Sequence, residues 1–174
     1  PTGRRVGILT NAGGPSILAV DALESEGLEV VEFSPGLQES IGQHLAAEAA
    51  VRNPVDMIAS AGPEQYRATL RALLDSDEVD SVIVVFIPTQ PGALQAVQEA
   101  VADVVAEGTC DKTILAVYME ADTNSRAPVA RSTVRIPQYG FPEPAARALA
   151  RATRYAEWRS RPEGIRVQVE DVRP

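Results

Sequence analysis

Hydrophobic residues follow two alternating patterns along the chain. Three short, continuous apolar runs, at residues 6–10, 79–87 and 113–119, are typical of strands buried on both faces of a parallel sheet. Longer stretches, in which apolar residues recur at helical spacing, separate these runs and predict helices. The predicted helices cover residues 16–26, 37–45, 64–75, 92–107 and 142–158. This alternation predicts a three-layer α/β/α domain with a mainly parallel sheet.

Two shorter segments, residues 28–33 and 133–136, are predicted as additional strands. The passage 46–61 has no regular period, and the polar stretch 120–132 is predicted to be a surface loop. In open parallel sheets, ligands bind beyond the carboxyl ends of the strands. We therefore expect a site among the loops that follow the three long strands.

The loop after the first strand has the strongest signal for a ligand, and it comprises Asn11, Ala12, Gly13, Gly14, Pro15 and Ser16. A strand–loop–helix junction directs free backbone N–H groups and the positive end of a helix dipole at one point. Glycines let a ligand approach that backbone closely, which suits a phosphate or a carboxylate. The alternative is a βα turn that needs glycine only for its backbone angles.

A second candidate is the segment formed by Asn53, Pro54, Val55 and Asp56. Proline restricts Asn53 to an extended backbone, and Asp56 can cap or orient a neighbouring loop. We expect Asn53, Pro54 and Asp56 to form a loop that supports the first one. A purely structural role is the alternative.

Composition and charge narrow the class of protein. A chain of 174 residues fits one domain, and its formal net charge of −8 argues against a nucleic-acid partner. No apolar run approaches the roughly 20 residues of a membrane helix, so we expect a cytoplasmic protein without a membrane partner. Positive charge is nevertheless concentrated in the last predicted helix, where Arg147, Arg151 and Arg154 are about one turn apart. This row is either a solvated face or a docking surface for an acidic neighbouring domain.

Side chains for conventional catalysis are scarce. His44 is the only histidine and lies on a predicted surface helix, and the single Cys110 excludes a disulfide framework and a thiolate metal cluster. The absence of Gly-x-Ser-x-Gly, Walker A and HExxH motifs disfavours a self-contained hydrolase or metalloenzyme. The Gly13-Gly14 pair is not a full dinucleotide fingerprint, although Glu29 and Glu32 follow at about the distance of a ribose-binding acid. We therefore expect neither a catalytic residue nor a metal site.

Several motifs occur in an order that resembles one family. The matching stretches are Arg5-Val-Gly-Ile-Leu-Thr-Asn-Ala-Gly-Gly-Pro15, Asp21-Ala-Leu23 with Gly27-Leu28, Asn53-Pro-Val-Asp56, Tyr66 with Leu73-Leu74, Val79-Asp-Ser-Val82, Phe141-Pro-Glu-Pro-Ala-Ala-Arg-Ala-Leu-Ala150 and Arg154-Tyr-Ala-Glu-Trp-Arg159. They resemble ADP-forming acyl-CoA synthetases of the acetate–CoA ligase type, in the segment between the phosphohistidine and ATP-grasp domains. The segment is also similar to the carboxy-terminal domain of the succinyl-CoA synthetase β subunit.

The resemblance implies a flavodoxin-like domain over residues 1–162 and a linker toward a following domain over residues 163–174. It implies that acid, CoA and ATP give acyl-CoA, ADP and phosphate, with a histidine of a neighbouring domain carrying the phosphoryl group. The helix start at residues 11–16 would face that phosphohistidine, because its dipole and backbone donors stabilise a dianion. Residues Phe86, Ile87 and Pro88 end a strand at the same edge and are expected to expose apolar surface for an interdomain contact.

Under the same resemblance, ATP or ADP, Mg²⁺ and CoA would bind to other domains of the polypeptide, and this chain would be inactive alone. The partners would be the CoA-binding, phosphohistidine and ATP-grasp domains. Some relatives are fused to an acetyltransferase domain, so the chain is alternatively a non-catalytic module of a protein lysine acetyltransferase. A free-standing flavodoxin-like nucleotide binder is the third candidate. His44 does not match the family's phosphorylated histidine, which belongs to the preceding domain.

Overall fold

A computed structural model describes residues 1–108, 111–119, 136–162 and 164. The predicted surface loop 120–132 lies outside these residues, as do Cys110 and most of the predicted linker 163–174.

A single five-stranded sheet runs through the described part of the chain, and every neighbouring pair of strands is parallel. The strands are β1 Val6–Thr10, β2 Val55–Asp56, β3 Ser81–Phe86, β4 Thr113–Tyr118 and β5 Gln138–Tyr139. Their order, β2-β1-β3-β4-β5, is that of flavodoxin-like domains. The predicted α/β class and parallel sheet are therefore confirmed.

Within the same residues five helices cover the sheet: α1 Gly13–Ser25, α2 Pro35–Gly42, α3 Pro63–Asp75, α4 Ala93–Ala106 and α5 Pro142–Arg159. Proline opens α2, α3 and α5, since its fixed φ suits the first helical turn and its missing N–H is not needed there. The Ser34 hydroxyl caps α2 by accepting a hydrogen bond from the Leu37 N–H at 3.3 Å. Hydrophobic periodicity predicts the five helices to within about three residues at each end.

The sheet separates two apolar cores. Helices α1 and α5 pack over one face, and α2, α3 and α4 pack over the other. Successive residues of β3 alternate between them, with Ile83 in the first core and Val82 and Val84 in the second. Because both faces are covered, β3 is apolar throughout its centre. Burying one such side chain fully contributes about 1.5–3 kcal/mol relative to leaving it exposed.

The predicted strand at residues 28–33 is wrong. Only Glu29 forms a bridge, to Arg5, and the segment then leaves the sheet. The side-chain amide of Asn53 takes its place beside β1. Its hydrogen-bond partners, at 2.8–2.9 Å, are the Ile8 N–H, the Val6 carbonyl and the Val31 carbonyl. A side chain thus satisfies backbone groups of β1 that a continuous neighbouring strand would otherwise pair.

The predicted strand 133–136 lies outside the described residues except for Ile136. Ile136 is not in a strand, and β5 lies beyond the predicted range. β5 pairs with Ala116 and Val117 of β4. Because β5 has only two residues, this tertiary pairing defines it, and no local apolar pattern can.

Polar contacts stabilise the end of the sheet at which β1, β3 and β4 begin. The backbone N–H and guanidinium of Arg5 donate hydrogen bonds to the Asp80 carboxylate, the shortest at 2.7 Å. These hydrogen bonds lower the pKa of Asp80. Lys112, the only lysine, donates to carbonyls at the end of α3, including those of Leu74 at 2.7 Å and Ser76. A cation at this helix end also complements the helix dipole.

Candidate functional site

The strand order predicts a ligand crevice at the carboxyl ends of β1 and β3. The chain leaves β1 toward β2 on one side of the sheet, and it leaves β3 toward β4 on the other. The two loops therefore diverge at the topological switch point, where open α/β sheets bind their ligands. Residues 11–16 form one side of this crevice, and residues 87–92 form the other.

Asn11 ties the two loops together. Its Nδ2 donates to the Ile87 carbonyl and its Oδ1 accepts from the Ile87 N–H, both at 2.9 Å. Asn11 is only 2% exposed. Both polar atoms of its amide are engaged within the fold, so the Asn11 side chain holds the crevice together.

Helix α1 begins at Gly13, and Ala12 is its extended N-cap residue, with φ −152° and ψ 121°. No side chain of the described residues caps this end, and the first turn contains no acid. The Thr10 hydroxyl accepts a hydrogen bond from the Ala12 N–H at 3.0 Å. The buried Ser16 hydroxyl donates to the Gly13 carbonyl at 2.7 Å. Since Pro15 has no N–H, the N–H groups of the two glycines are the donors at the tip of this helix.

The backbone angles of the glycine pair bear on the alternative that the turn needs glycine for its conformation. Neither Gly13 nor Gly14 has a positive φ, so the turn does not need glycine for its backbone angles. Among the described atoms, a Cβ on Gly14 would meet nothing within 4 Å. A Cβ on Gly13 would meet only the Asp56 carboxylate, with Oδ2 at 3.1 Å. The glycines leave the start of α1 open to close approach.

Residues 53–56 lie beside β1 and next to the start of α1. The Asn53–Pro54 peptide bond is cis, and the Asn53 amide forms the bridge to β1 described above. Asp56 pairs with Thr10 in the sheet, and its Oδ1 accepts a hydrogen bond from the Ile58 N–H at 3.0 Å. Asn53 therefore has a structural role, while Asp56 lies close to Gly13.

The loop after β3 forms the other wall of the crevice. Ile87 and Pro88 are half-buried, and Gly92, with φ 78°, precedes α4. The expectation that Phe86 exposes apolar surface here is wrong. Phe86 is buried because its ring packs edge-to-face on Tyr66, with 5.4 Å between ring centroids.

Tyr66 is a support of the crevice that sequence reasoning missed. Its hydroxyl donates to the Val85 carbonyl at 2.7 Å, near the end of β3. Burial raises the pKa of Tyr66, which keeps the hydroxyl protonated as a donor. Apolar periodicity assigns Tyr66 only to the core. A buried tyrosine needs a hydrogen-bond partner for its hydroxyl, and that requirement is the signal that indicates the support.

Three exposed apolar side chains lie at the same end of the molecule and form what we call the apolar rim: Ile17 (63% exposed), Leu18 (45%) and Phe141 (60%). Helices α1 and α5 pack together and both begin at this edge of the sheet. The apolar spacing in α1 does not predict this exposure, because α1 packs through its smaller Ala19 and through Leu23.

The arginine row on α5 is exposed, and one member is paired within the fold. Arg154 contacts Glu26 at the end of α1, with 3.2 Å between Nη2 and Oε2. Farther along α5, the exposed rings of Tyr155 and Trp158 stack with centroids 5.8 Å apart. The docking role of Arg147 and Arg151 stays a prediction.

Other classes of site find no support in the described residues. His44 is exposed beyond the end of α2. No group of three or more His, Cys, Asp or Glu side chains in these ranges is placed to hold a metal ion. Of the described helices, none has both the length and the apolar character needed to cross a bilayer.

The fold and the crevice define a flavodoxin-like domain with an open helix N-terminus at its switch point. Residues 6–157 match the model of the Ligase-CoA domain. Since this match spans most of the chain, the protein belongs to the Ligase-CoA domain family.

Relatives with CoA ligase names support this assignment. The chain is 37% identical over 150 residues to the α subunit of ADP-forming acetate–CoA ligase II from Pyrococcus furiosus, covering 85% of this chain and 33% of the relative. A solved structure of a Pyrococcus horikoshii OT3 protein has a TM-score of 0.82 at 36% identity, covering 90% of this chain and 37% of that one.

A second solved structure carries ligands. It is the dinucleotide-forming acetyl-coenzyme A synthetase 1 of Ca. Korarchaeum cryptofilum in complex with phosphate and ADP. Its TM-score is 0.81 at 25% identity, over 92% of this chain and 34% of that one. The chain thus spans about a third of the length of each of these relatives.

Proposed function

We propose that this chain is the part of an ADP-forming acyl-CoA synthetase that binds the phosphoryl group of a phosphohistidine at the start of α1. The observation that carries the proposal is the uncapped, glycine-flanked N-terminus of α1 at the switch point, in a chain of the Ligase-CoA family. The overall reaction would convert acid, CoA and ATP into acyl-CoA, ADP and phosphate.

The physical chemistry of α1 supports a phosphoryl group at this position. Unpaired N–H groups and the positive end of the helix dipole attract an anion, by about 0.3–1 kcal/mol at an exposed site. The attraction grows when a docked domain excludes water. The Thr10 and Ser16 hydroxyls both donate to backbone carbonyls, so neither of these two hydroxyls is free. Such a site would stabilise the phosphoryl group while another domain supplies the histidine.

The proposed reaction needs further domains. CoA, ATP or ADP with Mg²⁺, and the phosphohistidine would be held elsewhere, so the chain alone would be inactive. The apolar rim lies at the same end of the molecule as the crevice and would be covered by the domain that carries the phosphohistidine. The CoA ligase names of the relatives lend no support to an acetyltransferase module or a free-standing nucleotide binder.

The complete synthetase tests the proposal. This assembly is the chain together with the remaining domains, on one polypeptide or as partner subunits. Acid-dependent release of ADP from ATP in the presence of CoA should be measurable with the assembly and absent with the chain alone. Absence of release with acetate, propionate, branched and aryl acids would contradict the proposal.

Gly13→Val should abolish phosphoryl transfer in the assembly while the free energy of unfolding of the chain changes little. The new side chain would fill the space at the start of α1, where its nearest described neighbour is the Asp56 carboxylate. Gly36→Val is the matched control, because Gly36 is the second residue of α2 and a Cβ there would meet only the Ser34 Oγ, at 4.0 Å. Normal turnover by Gly13→Val would show that the loop is only a turn.

A further inference from the structure

A carboxylate lies beside the first residue of the helix that is proposed to hold the phosphoryl group. Asp56 is placed there by the sheet, since β2 pairs with β1 at Thr10 and Asp56. Its Oδ1 is occupied by the Ile58 N–H. Its Oδ2 lies 3.1 Å from the position of a Cβ on Gly13 and accepts no hydrogen bond from the described residues.

This carboxylate conflicts with a site for a bare anion. A carboxylate and a phosphate dianion a few ångströms apart repel each other, and the repulsion opposes the attraction of the helix dipole. No Lys or Arg side chain of the described residues forms an ion pair with Asp56. A group that brings a hydrogen-bond donor as well as a negative charge would satisfy both the carboxylate and the helix end.

We propose that Asp56 makes the crevice selective for a phosphoryl group carried on an imidazole ring, and that it disfavours free phosphate. This inference rests on the proposed function. When a neutral histidine takes the phosphoryl group on its unprotonated ring nitrogen, the other nitrogen keeps its N–H for as long as the ring stays an imidazolium, and that N–H is a hydrogen-bond donor. The N–H groups at the start of α1 take the phosphoryl oxygens, and Asp56 Oδ2 accepts the hydrogen bond from the ring N–H.

Titration of the chain with inorganic phosphate tests whether Asp56 repels free phosphate. Asp56→Asn removes the charge and keeps an oxygen for the Ile58 N–H, so the turn is preserved. The titration is followed through the backbone amide signals of Gly13 and Gly14, at neutral pH with a chelator present. Phosphate should bind Asp56→Asn roughly three- to tenfold more tightly than the unmodified chain. Asp21→Asn is the matched control, because Asp21 is an exposed acid two turns along α1.

Three results of this titration would overturn the inference. One is equal phosphate affinity of the unmodified chain and Asp56→Asn. Another is an equal gain from Asp21→Asn, which would reflect net charge alone. The third is tighter phosphate binding by the unmodified chain when Mg²⁺ replaces the chelator, lost in Asp56→Asn, because Asp56 would then be a metal ligand.

The assembled synthetase tests whether Asp56 stabilises the phosphohistidine. Asp56→Asn should slow formation and consumption of the phosphohistidine at least about tenfold, Asp56→Glu should recover part of the rate, and Asp21→Asn should leave it unchanged. Asp56→Asn should strengthen the binding of phosphate and slow the turnover of the phosphohistidine. A structural defect would instead weaken the binding and slow the turnover. A normal rate in Asp56→Asn overturns the selectivity alone. A wild-type assembly that forms no phosphohistidine overturns the proposed function and the selectivity together.

Discussion

Single polar side chains join parts of this fold that are distant in sequence. Asn11 connects the loops after β1 and β3, and Asn53 spans a gap at the edge of the sheet. Sequence reasoning selects both residues, because asparagine beside a strand end is typical of a structured turn. It cannot name their partners, which lie 76 and 45 positions away along the chain. Sequence reasoning therefore finds Asn11 and Asn53, but it does not show that both have partners within the fold.

Asp80 should make the stability of the chain depend on acidic pH. Hydrogen bonds from Arg5 hold the pKa of Asp80 below its ordinary value, and that difference stabilises the folded state. The stabilisation is fully present above the pKa of an unfolded aspartate, about 4, and is lost as the pH falls through the lower folded pKa. Asp80→Asn should therefore flatten the dependence of the unfolding free energy on pH below about pH 4. Denaturant titrations at several pH values measure this slope, and an unchanged slope would contradict the assignment.

Among the elements, those with long repeating patterns are predicted well and the short ones are not. Helices α3, α4 and α5 extend over three or more turns, so apolar spacing defines them. Residues 28–33 mimic a strand because Leu28 and Phe33 are buried in cores on opposite faces of the sheet. Their backbone nevertheless makes only one bridge. An alternating burial pattern does not reveal which backbone groups find a partner.

The stability of the chain should depend on the Asn53 side chain, which pairs with β1 where no continuous strand does. Asn53→Ala leaves the Ile8 N–H and the Val6 and Val31 carbonyls without their partner, and we expect a loss of about 2–3 kcal/mol in the free energy of unfolding. Equilibrium denaturation measures the loss. Gln95→Ala is the control, because Gln95 is exposed and bonds only Glu99 on its own helix, so its effect should stay within about 0.5 kcal/mol. Equal small effects would show that water replaces the Asn53 amide.

At the scale of the whole molecule, the two ends of the parallel strands carry different kinds of surface. The edge at the carboxyl ends of the strands carries the crevice and the apolar rim, and the opposite edge carries the Arg5–Asp80 pair. The three-layer architecture follows from the alternation of apolar runs, since a parallel sheet must be covered on both faces. The rim does not follow from the sequence, because the packing of α1 on α5 decides which apolar residues remain outside.

Replacing the rim on α1 should affect assembly far more than folding. Ile17→Ser combined with Leu18→Ser removes exposed apolar surface, so the free energy of unfolding of the chain should fall by no more than about 1 kcal/mol. Affinity for the remaining domains, added as a separate polypeptide, should fall at least about tenfold. Gln95→Ser with Ala106→Ser, both exposed on α4 in the other layer, should leave that affinity unchanged. An intact affinity in the rim variant would show that the docked domain lies elsewhere.

The stacked Tyr155 and Trp158 have a spectroscopic consequence. Trp158 is the only tryptophan, and its indole is largely in water in the folded chain. Its fluorescence is therefore a poor signal for loss of the core, because the ring is hydrated in both the folded and the unfolded state. Emission should instead respond when another domain covers the end of α5. The chain thus carries a native optical reporter of docking at that end, while its unfolding is better followed by circular dichroism.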